Sequence, residues 1–70
     1  MIEVTSPTAG LVFSVLVNVG DSVEAGSEVI VLESMKMEIP VIAEKSGVVK
    51  AILVEKGSPV DNGTKLITME

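Results

Sequence analysis

An all-β fold built from two equivalent halves is what this 70-residue sequence predicts, on three observations. The chain repeats itself without a gap at an offset of 37 residues, its apolar residues fall in short Val- and Ile-rich runs, and each run is bounded by Gly, Pro, Asn, Asp or Ser. No run reaches helix length with a 3.6-residue stripe. The offset pairs Gly10 with Gly47, Gly20 with Gly57 and Gly26 with Gly63, and it superposes 11 identical residues in 33 aligned positions. Residues 1–33 map onto 38–70, leaving only Ser34, Met35, Lys36 and Met37 at the junction. A unit of 33 residues cannot bury an apolar face alone, so the copies should pack as pseudo-twofold halves of one barrel or sandwich, a single domain over residues 1–70.

In chain order, the runs 11–17, 28–33, 38–43, 48–54 and 64–69 read as strands. Ile2 and Val4, ahead of them, match Ile39 and Val41 in the second copy. The segments Gly20 to Gly26 and Gly57 to Gly63 match each other and read as paired turns, in which Val23 or Val60 tucks into the core between two positions that favour positive φ. Comparison of the copies also separates faces, because a core position must stay apolar in both. Ile30 with Ile67 and Leu32 with Met69 keep that character at spacing two and should point inward. Phe13 becomes Lys50, so that position should face water, whereas Val12, Val49, Leu16 and Leu53 should face the core. Val15 with Ile52 and Val17 with Val54 break the alternation, which calls for a bulge or a doubly covered strand.

Composition removes most chemistry. Without Cys or His, the chain has no disulfide, no thiolate or imidazole metal site, no Ser-His or Cys-His pair and no histidine acid/base. A formal charge of −5 and a single aromatic ring, Phe13, argue against nucleic acid, which requires clustered cations or stacking rings. The uncharged run Val4 to Val19 is broken by Pro7, Gly10 and Asn18 and is no membrane span; no leader peptide is legible at Met1. The absence of Cys fits a reducing compartment, so a cytoplasmic location is expected. Ten scattered carboxylates and little room for a sizeable cleft also argue against an enzyme in its own right, and the acidity gives no reason to expect more than a monomer.

The junction carries the remaining chemistry. Residues 1–33 hold five acids and no base, so Lys36 is the one positive side chain in the first 44 residues. The strands on either side should pair as a hairpin with Lys36 at its exposed tip. Lysines 45, 50, 56 and 65 read as solvated surface charges. Lys36 differs through Met35 and Met37, which cannot both be buried easily at a tip and so should leave apolar surface there for another protein to read.

The stretch Glu33-Ser34-Met35-Lys36-Met37-Glu38 closely resembles the attachment motif of biotinyl domains, the carrier modules of biotin-dependent carboxylases. The sequence from Ala43 through Lys45-Ser46-Gly47 to Val54, then Gly57 and Pro59-Val60, resembles the same family. The resemblance implies a flattened eight-stranded barrel-sandwich of two four-stranded antiparallel sheets with quasi-twofold symmetry, shared with lipoyl domains. It implies that Lys36 is acylated by biotin, and that biotin protein ligase recognises Met35 and Met37 together with Glu33, Ser34 and Glu38. The carrier would then serve biotin carboxylase and carboxyltransferase components without breaking bonds itself. Some bacterial carriers have a protruding thumb between positions matching Ser6 and Leu11; this chain has only Pro7-Thr8-Ala9-Gly10.

Attachment requires a neutral amine to attack an acyl-adenylate, whereas an exposed lysine is almost wholly ammonium at neutral pH, so the ligase should supply the base. The nearest rival is lipoate at the same Lys36, added by a lipoyl ligase, or use of both cofactors. Lipoyl domains more often resemble Asp-Lys-Ala at the tip, and Met35 and Met37 favour biotin. A rival of another class is an unmodified interaction module whose lysine is incidental; an oligonucleotide-binding barrel is disfavoured by charge and the lack of rings.

Overall fold

A computed structural model describes all 70 residues. Eight strands follow in order: β1 (Ile2–Thr5), β2 (Gly10–Val15), β3 (Ser22–Val23), β4 (Glu28–Ser34), β5 (Met37–Ile42), β6 (Gly47–Ile52), β7 (Pro59–Val60) and β8 (Lys65–Met69). They form two four-stranded antiparallel sheets with strand orders β1-β8-β6-β3 and β5-β4-β2-β7. Exchanging each strand for its counterpart in the other copy turns the first order into the second, so the sequence repeat is a structural pseudo-twofold. Each sheet draws two strands from each copy. The register obeys the same operation: Ile2, Glu3 and Val4 lie opposite Met69, Thr68 and Ile67, as Ile39, Pro40 and Val41 lie opposite Leu32, Val31 and Ile30.

Thirteen buried apolar residues fill the space between the sheets. Ile30, Leu32, Ile67 and Met69 are fully buried, as the comparison of the copies requires. Each such side chain contributes roughly 1.5–3 kcal/mol by leaving water. Val29 and Leu66 are buried beside Ile30 and Ile67 because the ladder shifts there: Glu28 and Ile30 of β4 face Ile42 and Val41, with Val29 as the extra residue. The one buried polar side chain, Ser6, donates its hydroxyl to the carbonyl of Thr8 at 2.6 Å, and no buried side-chain polar atom lacks a partner.

Two matched bulges, one of the two alternatives that the broken alternation calls for, are found in β2 and β6 and correct the placement of Leu16 and Leu53. Val12 faces Leu32 and Ser14 faces Val31, which leaves Phe13 as an extra residue; Lys50 is the extra residue between Val49 and Ala51. An extra residue inverts the alternation that follows it. Val15, Val17, Ile52 and Val54 therefore pack against the core, while Leu16 and Leu53 turn out to solvent, 50% and 51% exposed, contrary to the expectation that they face inward. Phe13 and Lys50 are exposed as expected. The strands also end at Val15 and Ile52, short of 17 and 54.

The paired segments 20–26 and 57–63 are turns around short strands: Val23 and Val60 are buried within β3 and β7, two residues each. Gly20 and Gly57, with φ of 95° and 91°, donate their N–H groups to the carbonyls of Val49 and Val12 at 2.9 and 2.8 Å, so each turn of one copy is fastened to the other copy. β1, which the run-by-run reading did not include, pairs only with β8. No helix of the molecule is long and apolar enough to cross a membrane.

Candidate functional site

The β4–β5 ladder closes at the pair Ser34 and Met37, leaving Met35 and Lys36 as a two-residue loop. Their φ angles, 52° and 64°, are both left-handed, the requirement of a type I′ hairpin turn whose twist matches that of the flanking strands. Asn-Gly is the common solution to that requirement. Here a methionine and a lysine, neither with glycine's freedom, are held in it. Met35 is 91% exposed and Met37 64%, and Lys36 is exposed between them. The six residues singled out in the sequence are thus brought together in one element: Glu33 and Ser34 end β4, Met35 and Lys36 make the tip, and Met37 and Glu38 begin β5.

Glu33 and Glu38 stand directly opposite each other in the ladder, one step below the pair that closes the loop. Like charges in that relation repel. Neither is ion-paired; the two salt bridges of the molecule are Lys50 to Glu70 at 3.0 Å and Lys65 to Glu3 at 3.1 Å, both on the other sheet. Lys36 is likewise free of any ion pair. The tip therefore offers a primary amine, free of any salt bridge, between two flexible thioethers and above two carboxylates.

The start of β2 supports the hairpin from the side, a contact the sequence reading did not identify. Leu11 lies opposite Glu33, and a Cβ on Gly10 would stand 2.6 Å from the Glu33 carbonyl oxygen and 3.4 Å from the Ser34 Cβ. The repeat singled out Gly10, but its partner becomes visible only when β2 is laid against β4.

Tip and chain termini lie at opposite ends of the 31 × 19 × 18 Å molecule. β2 starts beside the tip, and β6 starts beside Glu70, where Val48 and Glu70 exchange backbone hydrogen bonds of 2.8 and 2.9 Å. The far ends of both strands, Val15 to Asn18 and Ile52 to Lys56, meet around a single open depression of ≈ 420 Å³. A second, of ≈ 260 Å³, lies between β1 and the end of β5. The sequence left little room for clefts of this size; both exist as surface grooves, and neither includes a residue of the tip.

A family model described as biotin-requiring enzyme, the biotin/lipoyl family, matches residues 2–69. The chain belongs to the biotin/lipoyl family. Curated relatives of this biotin/lipoyl chain include the biotin/lipoyl attachment protein of Bacillus subtilis (strain 168), 55% identical over 38 residues, covering 54% of this chain and 52% of that protein. Biotinylated protein TB7.3 of Mycobacterium bovis is 49% identical over 41 residues, covering 59% and 58%. The methylmalonyl-CoA carboxyltransferase 1.3S subunit of Propionibacterium freudenreichii subsp. shermanii is 56% identical over 36 residues, covering 51% and 29%. The matches to the B. subtilis and M. bovis proteins span a little over half the length of each. Among solved structures, the urea carboxylase of Kluyveromyces lactis contains a region matching 99% of this chain with a TM-score of 0.92 and 38% identity, although the match is 6% of that enzyme. The two-sheet fold of the biotin/lipoyl family is thus the fold found here.

Proposed function

We propose that this chain is a biotin carrier, with biotin held as an amide on the Nζ of Lys36. The observation that carries the reading is the tip itself: one exposed amine, free of any salt bridge, held in a left-handed two-residue turn between Met35 and Met37. Attachment joins Nζ to the carboxyl carbon of biotinyl-adenylate, with loss of the amine proton and departure of AMP, and biotin protein ligase supplies the base. Nothing in the tip has to open for this step, since the amine already stands in solvent. Bound biotin supplies a ureido nitrogen that takes up and releases a carboxyl group. The chain contributes reach and placement: the lysine arm at a rigid tip raises the effective concentration of the cofactor at a carboxylase site and then at a carboxyltransferase site, while the domain itself catalyses nothing. Names of the relatives, a biotinylated protein and a carboxyltransferase subunit, agree with this reading.

Lipoate at the same lysine is the second reading, favoured by the 55% identity to a biotin/lipoyl attachment protein. Intact mass after incubation with purified biotin ligase or, separately, lipoyl ligase distinguishes the two cofactors. The expected result is one biotinyl group on the native chain and none on Lys36→Arg, with the same melting temperature for both. Retained label on Lys36→Arg, or failure of both ligases to modify the native chain, overturns the carrier reading.

A further inference from the structure

The two sheets share one backbone plan, yet their outer faces have diverged, and the difference falls on the side that bears the tip. In the β5-β4-β2-β7 sheet, Leu11, Glu33 and Glu38 form one outward row, with Val31 and Pro40 in the next and Phe13 in the bulge beside them. At the matching positions of the other sheet, Lys50 replaces Phe13, Thr68 replaces Val31, Glu3 replaces Pro40 and Lys65 replaces Glu28. That sheet closes its charges on itself through the Lys50–Glu70 and Lys65–Glu3 pairs. The tip sheet has no cation below Lys36, and its carboxylates at 28, 33 and 38 remain unpaired around exposed apolar side chains that include Phe13, 44% exposed.

We propose that the outer face of the tip sheet is the docking surface for the ligase that acylates Lys36, and that the ligase meets it with an apolar centre rimmed by Arg or Lys. The inference rests on the carrier reading above. A second copy of the chain does not fit the face, because it would bring carboxylates against carboxylates. The ligase fits for a geometric reason: before acylation its active site must come within the length of the lysine side chain, so its surface must lie against the strands below the tip. Enzymes that act later reach the cofactor through the longer arm and do not need that contact. An apolar patch with a charged rim of one sign is the arrangement that gives both affinity and orientation in a transient complex.

Steady-state acylation by purified biotin ligase tests this on three variants. Phe13→Lys and Glu28→Lys each install the residue that the equivalent position already tolerates in the other sheet, so the fold is retained, which thermal melts verify. Glu3→Lys makes the same change in net charge as Glu28→Lys, but on the other sheet. The expected result is a KM raised about tenfold for Phe13→Lys and Glu28→Lys with kcat unchanged, native kinetics for Glu3→Lys, and a salt dependence of KM that is flatter for Glu28→Lys than for the native chain. Native KM values for both tip-sheet variants, or equal losses in Glu28→Lys and Glu3→Lys, overturn the docking face and leave the carrier reading standing. A native chain that is not acylated at all overturns both.

Discussion

Met35 and Lys36 occupy backbone conformations that a methionine or lysine adopts at a cost, with φ of 52° and 64°. A non-glycine residue in this region costs roughly 1–2 kcal/mol, and the chain meets that cost twice in succession where the strands could turn more cheaply through Asn-Gly. The side chains explain the choice: the turn displays Met35 at 91% exposure and holds Lys36 clear of the body, neither of which stabilises the free domain. Below them, the facing carboxylates Glu33 and Glu38 add a repulsion, whereas Glu70, which matches Glu33 on the other sheet, is paired with Lys50 at 3.0 Å. Left-handed backbone outside glycine therefore occurs only at the place where a partner is proposed to act, with two facing carboxylates beside it. Met35→Asn separates stability from recognition, because Asn tolerates the left-handed region but removes the thioether. We expect a gain of about 1 kcal/mol, read as a melting temperature several degrees higher, together with slower acylation by biotin ligase. A variant that gained stability and was labelled at the native rate would show that Met35 is not read.

At the scale of elements, Gly10 and Gly47 begin the equivalent strands β2 and β6 and make the same close approach: a Cβ would lie 2.6 Å from the carbonyl oxygen of Glu33 at Gly10, and 2.8 Å from that of Glu70 at Gly47. The obstacle is backbone in both cases, so a methyl group must push the strands apart. Gly10→Ala and Gly47→Ala should each cost about 1–3 kcal/mol in denaturant melts, the range for overpacked sites. Only Gly10→Ala displaces β4 at the base of the tip, so of the two folded variants it alone should lower the rate of acylation; equal rates would mean that β2 does not position the hairpin. These glycines also mark what the sequence could convey. Their recurrence set the 37-residue offset, and with it the pairing of copies, the buried Ile30, Leu32, Ile67 and Met69, and the hairpin at the junction. The broken alternation at Val15, Val17, Ile52 and Val54 calls for a bulge or a doubly covered strand, but it does not place the extra residue at Phe13 and Lys50, because a bulge is a relation between two strands and both copies have it at the same position. Leu16 and Leu53, apolar in both copies, therefore face solvent together where strict alternation from Val12 and Val49 would turn them inward. β1 and the two-residue β3 and β7 escaped for a related reason, since too few residues alternate in them to show a period, and their partners β8, β6 and β2 lie far away in the chain.

For the whole molecule, the pseudo-twofold gives the two ends equivalent backbone geometry. β8 and β1 meet at the termini in the register that β4 and β5 adopt at the tip, Ile2 opposite Met69 as Ile39 is opposite Leu32. Four residues, 34–37, bridge the copies at the tip, so a four-residue Ser-Met-Lys-Met linker from Glu70 to Met1 should bridge the other end with the same turn. A circular permutant that runs through residues 38–70, the linker and residues 1–33 keeps all eight strands, β4 and β5 each losing only the end residue next to the turn, and moves the only tip to the opposite sheet. It should fold, because chain ends placed close together generally tolerate being joined and no strand partner changes; a native-like β spectrum and a cooperative melt are the expected readings. Its lysine then projects above Lys50, Glu70 and Thr68 in place of Phe13, Glu33 and Val31. If the ligase reads the tip sheet as well as the tip, the permutant is labelled with kcat/KM lower by about tenfold, and labelling improves when Lys50→Phe and Lys65→Glu transfer the face along with the turn. Labelling at the native rate would mean that the Met-Lys-Met turn alone is recognised, and that the asymmetry between the sheets serves some other contact.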